Sequence, residues 1–185
     1  MNNNGIHFIL VVSSYFIGAL PFRVWIARGL PQNILKPSFR DLLATFLDAT
    51  KGIVLMIPIQ FGWIANYESS QTILWLMGFV ATLGHCFSPW LKFKGGKGVI
   101  TAFGFFTFLA PVTGAFILGI GIVAALVSRM LSVASLCAFI IAASIHPVFY
   151  GSSSSTLFMA LTVTLIVYRH EENLEKILKQ CEERF

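Results

Sequence analysis

Charge is what this sequence has least of. Aspartate, glutamate, lysine and arginine make up 11% of its 185 residues, where a soluble domain carries roughly 25%. With 56% hydrophobic residues, polar surface is too scarce to cover a water-soluble core, so lipid has to solvate much of the outside. One compact membrane domain over 1–185 is expected, with no room for a second. Cysteine is also scarce. Cys86, Cys137 and Cys181 stand apart, with no CxxC or Cys/His spacing, which argues against a disulfide framework and a zinc site. They read as packing residues, and neither a metal nor another cofactor is expected. The net charge of +5 is no nucleic-acid footprint, because the cations sit in short loops between apolar runs and form no stripe. The opening Met1-Asn2-Asn3-Asn4 lacks the positive stretch of a secretory signal, so the first apolar run reads as a retained anchor. Nothing resembles a nucleophile elbow or a GxxxxGK[ST] phosphate loop.

What the chain has is apolar runs. A helical span needs about 20 apolar residues. Runs at 6–27, 42–63, 72–90, 99–110, 112–127, 131–150 and 156–168 give seven segments, two of them short. The expectation is an all-α polytopic membrane bundle of about seven transmembrane helices. Loop charge sets its orientation. All 13 lysines and arginines fall on one side of this arrangement, provided Arg23 and Lys51 sit at the inner ends of their helices. The N-terminus is therefore expected outside and the C-terminus inside. Over 170–185, Leu174, Ile177, Leu178 and Cys181 recur at helical spacing among Glu171, Glu172, Glu175, Lys176 and Lys179, which predicts an amphipathic helix lying on the headgroups.

Polar residues that interrupt these runs are the candidates for chemistry. The loop 92–98 places Lys92, Lys94 and Lys97 among Gly95, Gly96 and Gly98, directly before a helical run. Glycine amides and a helix N-terminus suit an anion, and lysines add full charge, so the loop reads as a phosphate site at the inner face. An ordinary positive-inside loop is the plainer alternative. His85 lies in the third run, where a histidine is costly unless paired or facing a cavity. Asp48 and Lys51, three apart on one helix, can pair. Arg129, Ser132 and Ser135 share a helix face, although small hydroxyl residues also serve helix packing. His170 and Asn173 form a further pair three apart. His146, beside Pro147 on the outer side, is assigned no role.

These residues resemble one family. GHCFSPWLKFKGGKGVITAFG, at 84–104, is similar to the second signature of the bacterial acyl-phosphate:glycerol-3-phosphate acyltransferases, the PlsY family. Phe16-Ile17-Gly18-Ala19-Leu20-Pro21-Phe22 resembles the family's opening GSxPF, and Leu47-Asp48-Ala49-Thr50-Lys51-Gly52 its LDxxKG. Arg129 to Ser135 resembles its RxxSxxS, and His170-Glu171-Glu172-Asn173, followed by Glu182, its third signature. Gln180-Cys181 stands where Gly-Thr is usual. The first signature, GSGNxGATN and a following arginine, is missing from 29–41. The resemblance covers nearly the whole chain.

The resemblance implies a multi-pass enzyme of the bacterial inner membrane that moves an acyl chain from acyl phosphate to glycerol 3-phosphate, making lysophosphatidate for phospholipid synthesis. It implies phosphate contacts from Lys94, Gly95, Gly96, Lys97, Gly98, Arg129 and Lys51, and catalytic roles for His85, Lys97, His170 and Asn173. Asp48, Ser132, Ser135 and Glu182 support them. The missing signature keeps open a same-fold relative with an altered acceptor or no activity. A transporter is the third reading, disfavoured because no charge pair lies on the outer halves of the helices.

Overall fold

The computed structural model describes residues 3–29, 37–61 and 71–179. Among them the chain is helical, without strands. α1 (Asn3–Gly18) and α2 (Phe22–Gly29) carry the first apolar run, and α3 (Pro37–Thr50) and α4 (Met56–Gln60) the second. α5 (Gln71–Cys86), followed by a 3-10 turn at Pro89–Leu91, carries the third. α6 (Val99–Leu109), α7 (Pro111–Ser128), α8 (Leu131–Tyr150) and α9 (Ser154–Tyr168) match the next four, and α10 (Glu171–Leu178) is the amphipathic tail helix.

Among the described residues, fewer single helices are long and apolar enough to cross a membrane than there are apolar runs. Gln71–Leu91, Pro111–Ser128 and Leu131–Tyr150 are long and apolar enough, and α1 with α2 makes a fourth if a pair bent by 40° is one span. The bend follows from Pro21, which has no amide hydrogen and pushes Leu20 out of helical geometry. The run 42–63 is not one helix either: α3 ends at Thr50, residues 51–55 turn, and α4 has five residues. α6 and α9 have 11 and 15 residues, or about 16 and 22 Å at 1.5 Å per residue, short of a hydrocarbon core of about 30 Å. Hydropathy alone could not reveal these breaks, because turns paired inside a bundle keep apolar sequence.

Close backbone contact holds the bundle together. α1 packs on α5, α7 on α8, and α6 on both α5 and α7. A Cβ at Gly84 would run into the Tyr15 backbone, and one at Gly18 into that of Ala81, so α1 and α5 cross with glycine on each side. Such contact replaces the hydrophobic drive that lipid removes. The Tyr15 hydroxyl donates to Phe87 O (2.7 Å), and the Ser88 hydroxyl to Ala19 O, which fastens the α1–α2 bend to the end of α5. At the opposite end of α8, His146 is buried. Its Nδ1 meets Thr113 Oγ1 (2.7 Å), its Nε2 meets Ser155 Oγ (3.0 Å), and its ring stacks on Tyr150. That histidine joins α7, α8 and α9 as a structural tie.

The outward faces are apolar. Val127 and Val148 are 81% and 80% exposed, with Leu118, Ile122 and Leu126 beside Val127 on α7. Contiguous exposure of this kind suits lipid. α7 folds back along α6 from the Ala110–Pro111 corner, where a Cβ at Gly114 would press on Thr107. Because α6 is seven residues shorter (18 against 11), its start falls about 10 Å short of the end of α7. The step between them positions the site.

Gly84→Val is expected to force α1 from α5 at a cost of about 1–3 kcal/mol. Thermal unfolding in detergent should show it as a lower Tm. Gly119→Ala, where an added Cβ meets nothing within 4 Å, should leave Tm unchanged.

Candidate active site

A cavity of about 930 Å³ opens at the step left by the short α6. Three polar groups of side chains and backbone converge on it.

The end of α3 supplies the first. Asp48 and Lys51 are buried, at 6% and 5% exposure, and their side chains pair at 2.6 Å. Lys51 Nζ also reaches His85 Nδ1 (3.4 Å) and lies over the Phe22 ring at 5.1 Å. An ammonium keeps all three protons, so it donates to His85 Nδ1, which leaves the ring proton on Nε2. Where α3 stops, the freed Asp48 carbonyl accepts from Thr101 Oγ1 at 3.0 Å. A lone ion would be costly here, and pairing is what lets it stay charged.

The second group joins α8 to the α9–α10 break. Asn173 Nδ2 donates to Ser132 Oγ at 2.8 Å. His170, 1% exposed, places Nδ1 2.7 Å from Ile166 O and Nε2 3.2 Å from Ser135 Oγ. A carbonyl only accepts, so Nδ1 carries a proton, and Nε2 faces the Ser135 hydroxyl. The Ser135 hydroxyl also lies 3.0 Å from Ser132 O. Its single proton therefore has two possible acceptors, Ser132 O and His170 Nε2.

The third group is the glycine loop, and here the structure corrects the expected use of its amides. The Gly95 and Gly96 amides donate to Cys86 O and His85 O, both at 3.1 Å, capping carbonyls that α5 leaves open at its end. They are not turned toward a ligand. The glycines are required because the loop lies against α5: a Cβ at Gly96 would strike the His85 ring. Gly98 holds φ +79° with Thr82 and Cys86 Sγ 2.8 Å from where a Cβ would be, and it starts α6.

The cavity wall includes Asp48, Lys51, His85, Lys94, Gly95, Gly96, Lys97, Gly98, Ser132, Ser135 and His170. Asn173 joins through Ser132. Arg129 does not line the cavity; it is exposed and caps α7 at φ 55°, since a left-handed residue ends that helix. Glu182 and Cys181 lie outside the described residues, as do 30–36 within the interval that lacks the first signature. Arg23, Ser88 and Arg169 escaped the sequence reading. Arg23 lines the cavity and lies 3.4 Å from Asp41. Arg169 bonds the carbonyls of Gly95 and Gly96. No local signal marks it, because those partners are more than 70 residues away. The far end of the cavity is apolar, with Phe103, Ile117, Ala138 and Phe139. Leu118 and Ile122 both line it and are 52% exposed, so this end opens sideways toward lipid.

A polar pocket with a buried ion pair and two histidines, continuous with an apolar channel, fits transfer between a charged and a lipid-like substrate. Residues 40–180 match the family model for glycerol-3-phosphate acyltransferase. The chain belongs to that family. It is 34% identical to the glycerol-3-phosphate acyltransferase of Fusobacterium nucleatum, over 96% of this chain and 97% of the relative. It is 32% identical to that of Thiobacillus denitrificans, over 97% of each. The fold is similar to two crystal structures of PlsY (YgiH), an integral membrane glycerol 3-phosphate acyltransferase. The glycerol 3-phosphate form gives a TM-score of 0.81 and the lysophosphatidic acid form 0.83, each at 28% identity over 97% of this chain and 95% of that one. The family match begins at residue 40, at the end of the interval that lacks the first signature.

Asp48→Asn leaves Lys51 buried without its carboxylate and is expected to cost about 3–5 kcal/mol. The double variant Asp48→Asn with Lys51→Met should recover most of that. A double-mutant cycle by chemical or thermal unfolding measures both.

Proposed function

We propose that this chain is a bacterial inner-membrane enzyme that transfers an acyl group from acyl phosphate to the 1-hydroxyl of glycerol 3-phosphate, releasing phosphate and lysophosphatidate. The observation that carries the reading is the single cavity shared by Lys97, His170, Ser135 and the Asp48–Lys51–His85 set, with an apolar end open to lipid. In this reading the site faces the cytoplasm, the N-terminus lies outside and the acyl chain enters between helices.

Acyl phosphate is a mixed anhydride with a good leaving group, so the reaction needs orientation and charge stabilisation more than a protein nucleophile. The acceptor hydroxyl oxygen attacks the acyl carbonyl carbon, the bond from that carbon to the phosphate oxygen breaks, and phosphate leaves with the electron pair. Lys97 and Lys94 hold phosphate charge, and the N-terminal amides of α6, from Gly98 onward, add donors. Gly95 and Gly96 shape this wall, with their amides committed to α5. Lys51, kept charged by Asp48, balances the second phosphate. Arg129 adds positive charge beyond the cavity wall.

Of the two histidines, His170 is the proton acceptor. Its Nε2 faces a hydroxyl, whereas His85 Nδ1 is occupied by Lys51 and its Nε2–H can only donate. Asn173 and Ser132 orient the acceptor beside it. The missing first signature favours a second reading, a same-fold enzyme with a different hydroxyl acceptor.

Purified protein in detergent should release lysophosphatidate from acyl phosphate and glycerol 3-phosphate. Lys97→Ala is expected to lower kcat/KM by about 100- to 1,000-fold. His170→Gln should lower kcat by about 100- to 10,000-fold, with a smaller effect from His85→Gln. Absence of product from the wild type, where a relative is active, would overturn the acyltransferase reading. Acyl transfer only to another polyol phosphate would establish the second.

A further inference from the structure

We infer that Arg169 is a positioning residue that sets the distance between Lys97 and His170. Its guanidinium places Nη2 2.9 Å from Gly95 O and Nε 3.3 Å from Gly96 O, and lies over the Phe87 ring at 5.3 Å. The two glycine residues of the loop are thereby held from both sides. Their N–H groups donate to the end of α5, and their carbonyls accept from a side chain at the end of α9. Lys97 follows this clamped pair directly, and His170 follows Arg169 directly. One side chain thus ties the segment that carries the cation to the one that carries the base. Neither segment is otherwise regular there: the loop lies between helices, and 169–170 form the break between α9 and α10.

Charge points the same way. Gly95 and Gly96 line the cavity, and a carbonyl oxygen presents its negative end to whatever approaches. A phosphate beside two uncovered carbonyls would be repelled. Arg169 bonds both oxygens from outside the cavity wall and offsets that negative end. The planar fork is needed for this, since an ammonium is a point charge that cannot span two oxygens and stack on an aromatic ring at once. Arg169→Lys keeps the charge and loses the clamp.

The inference rests on the acyltransferase reading for its kinetic consequence, while the clamp itself can be observed without turnover. Wild type, Arg169→Lys and Arg169→Met would be compared in detergent by steady-state kinetics and by hydrogen exchange of the loop 92–98. Loosening the loop should lower kcat by roughly 10- to 100-fold in Arg169→Lys, with a much smaller change in KM for glycerol 3-phosphate. Arg169→Met, which also uncovers the carbonyls, should raise that KM as well. In both variants the Gly95 and Gly96 amides should exchange faster, with α1 and α5 protected as in the wild type. Wild-type kcat in Arg169→Lys, or unchanged loop exchange in both variants, would overturn the inference. So would exchange raised uniformly along the chain, since that marks general destabilisation. An inactive wild type sinks the acyltransferase reading, and the exchange comparison then still decides the clamp. Should Arg169→Met fail to fold, Arg169→Lys carries both measurements.

Discussion

A charged ammonium among apolar helices has to be paired, and the rest of this structure is arranged around that requirement. Lys51, in the turn directly after α3, meets Asp48 on that helix and His85 on α5. To bring them together α3 must stop at Thr50, and Thr101 takes up the carbonyl released by the stop. The interrupted second run, the position of α6 and the mouth of the cavity are consequences of keeping that charge satisfied. A continuous helix through 42–63 would bury more apolar surface but would carry the chain past the point where Lys51, His85 and Thr101 meet.

The glycine loop extends the same logic to the backbone. Its sequence looks like a cradle for an anion, and its surroundings show what the glycines are for. Lack of a side chain lets the loop press against the end of α5, where its amides cap helix carbonyls. The carbonyls on its other face then need a donor, and Arg169 provides it. Lys94, Lys97 and the start of α6 at Gly98 still line the cavity. One short segment caps a helix, receives a guanidinium and presents Lys97 to the cavity, so few residues within it can change independently.

Much of this could be read without coordinates. The membrane class follows from charge scarcity alone, and the boundaries of α6, α7, α8 and α9 fall within about two residues of the apolar runs, the usual uncertainty of a helix end. The spacing of Asp48 and Lys51 and of Ser132 and Ser135 brought each pair together, and both line one cavity with His170, which Asn173 reaches through Ser132. The broken first and second runs were hidden, since hydropathy does not distinguish a helix from a paired turn. Arg129 appeared equivalent to its serine neighbours by spacing, yet the end of α7 intervenes and turns it outward.

The sequence by itself determined that this chain lives in lipid and which residues could bear charge there, because composition and periodicity are local properties. Tertiary structure alone decided that His85 Nδ1 meets Lys51, that the loop amides face α5, and that Arg169 bonds the loop carbonyls. Each depends on partners distant along the chain. Hydrogen-bond donors and acceptors are chosen by proximity in space, which no spacing of residue types encodes.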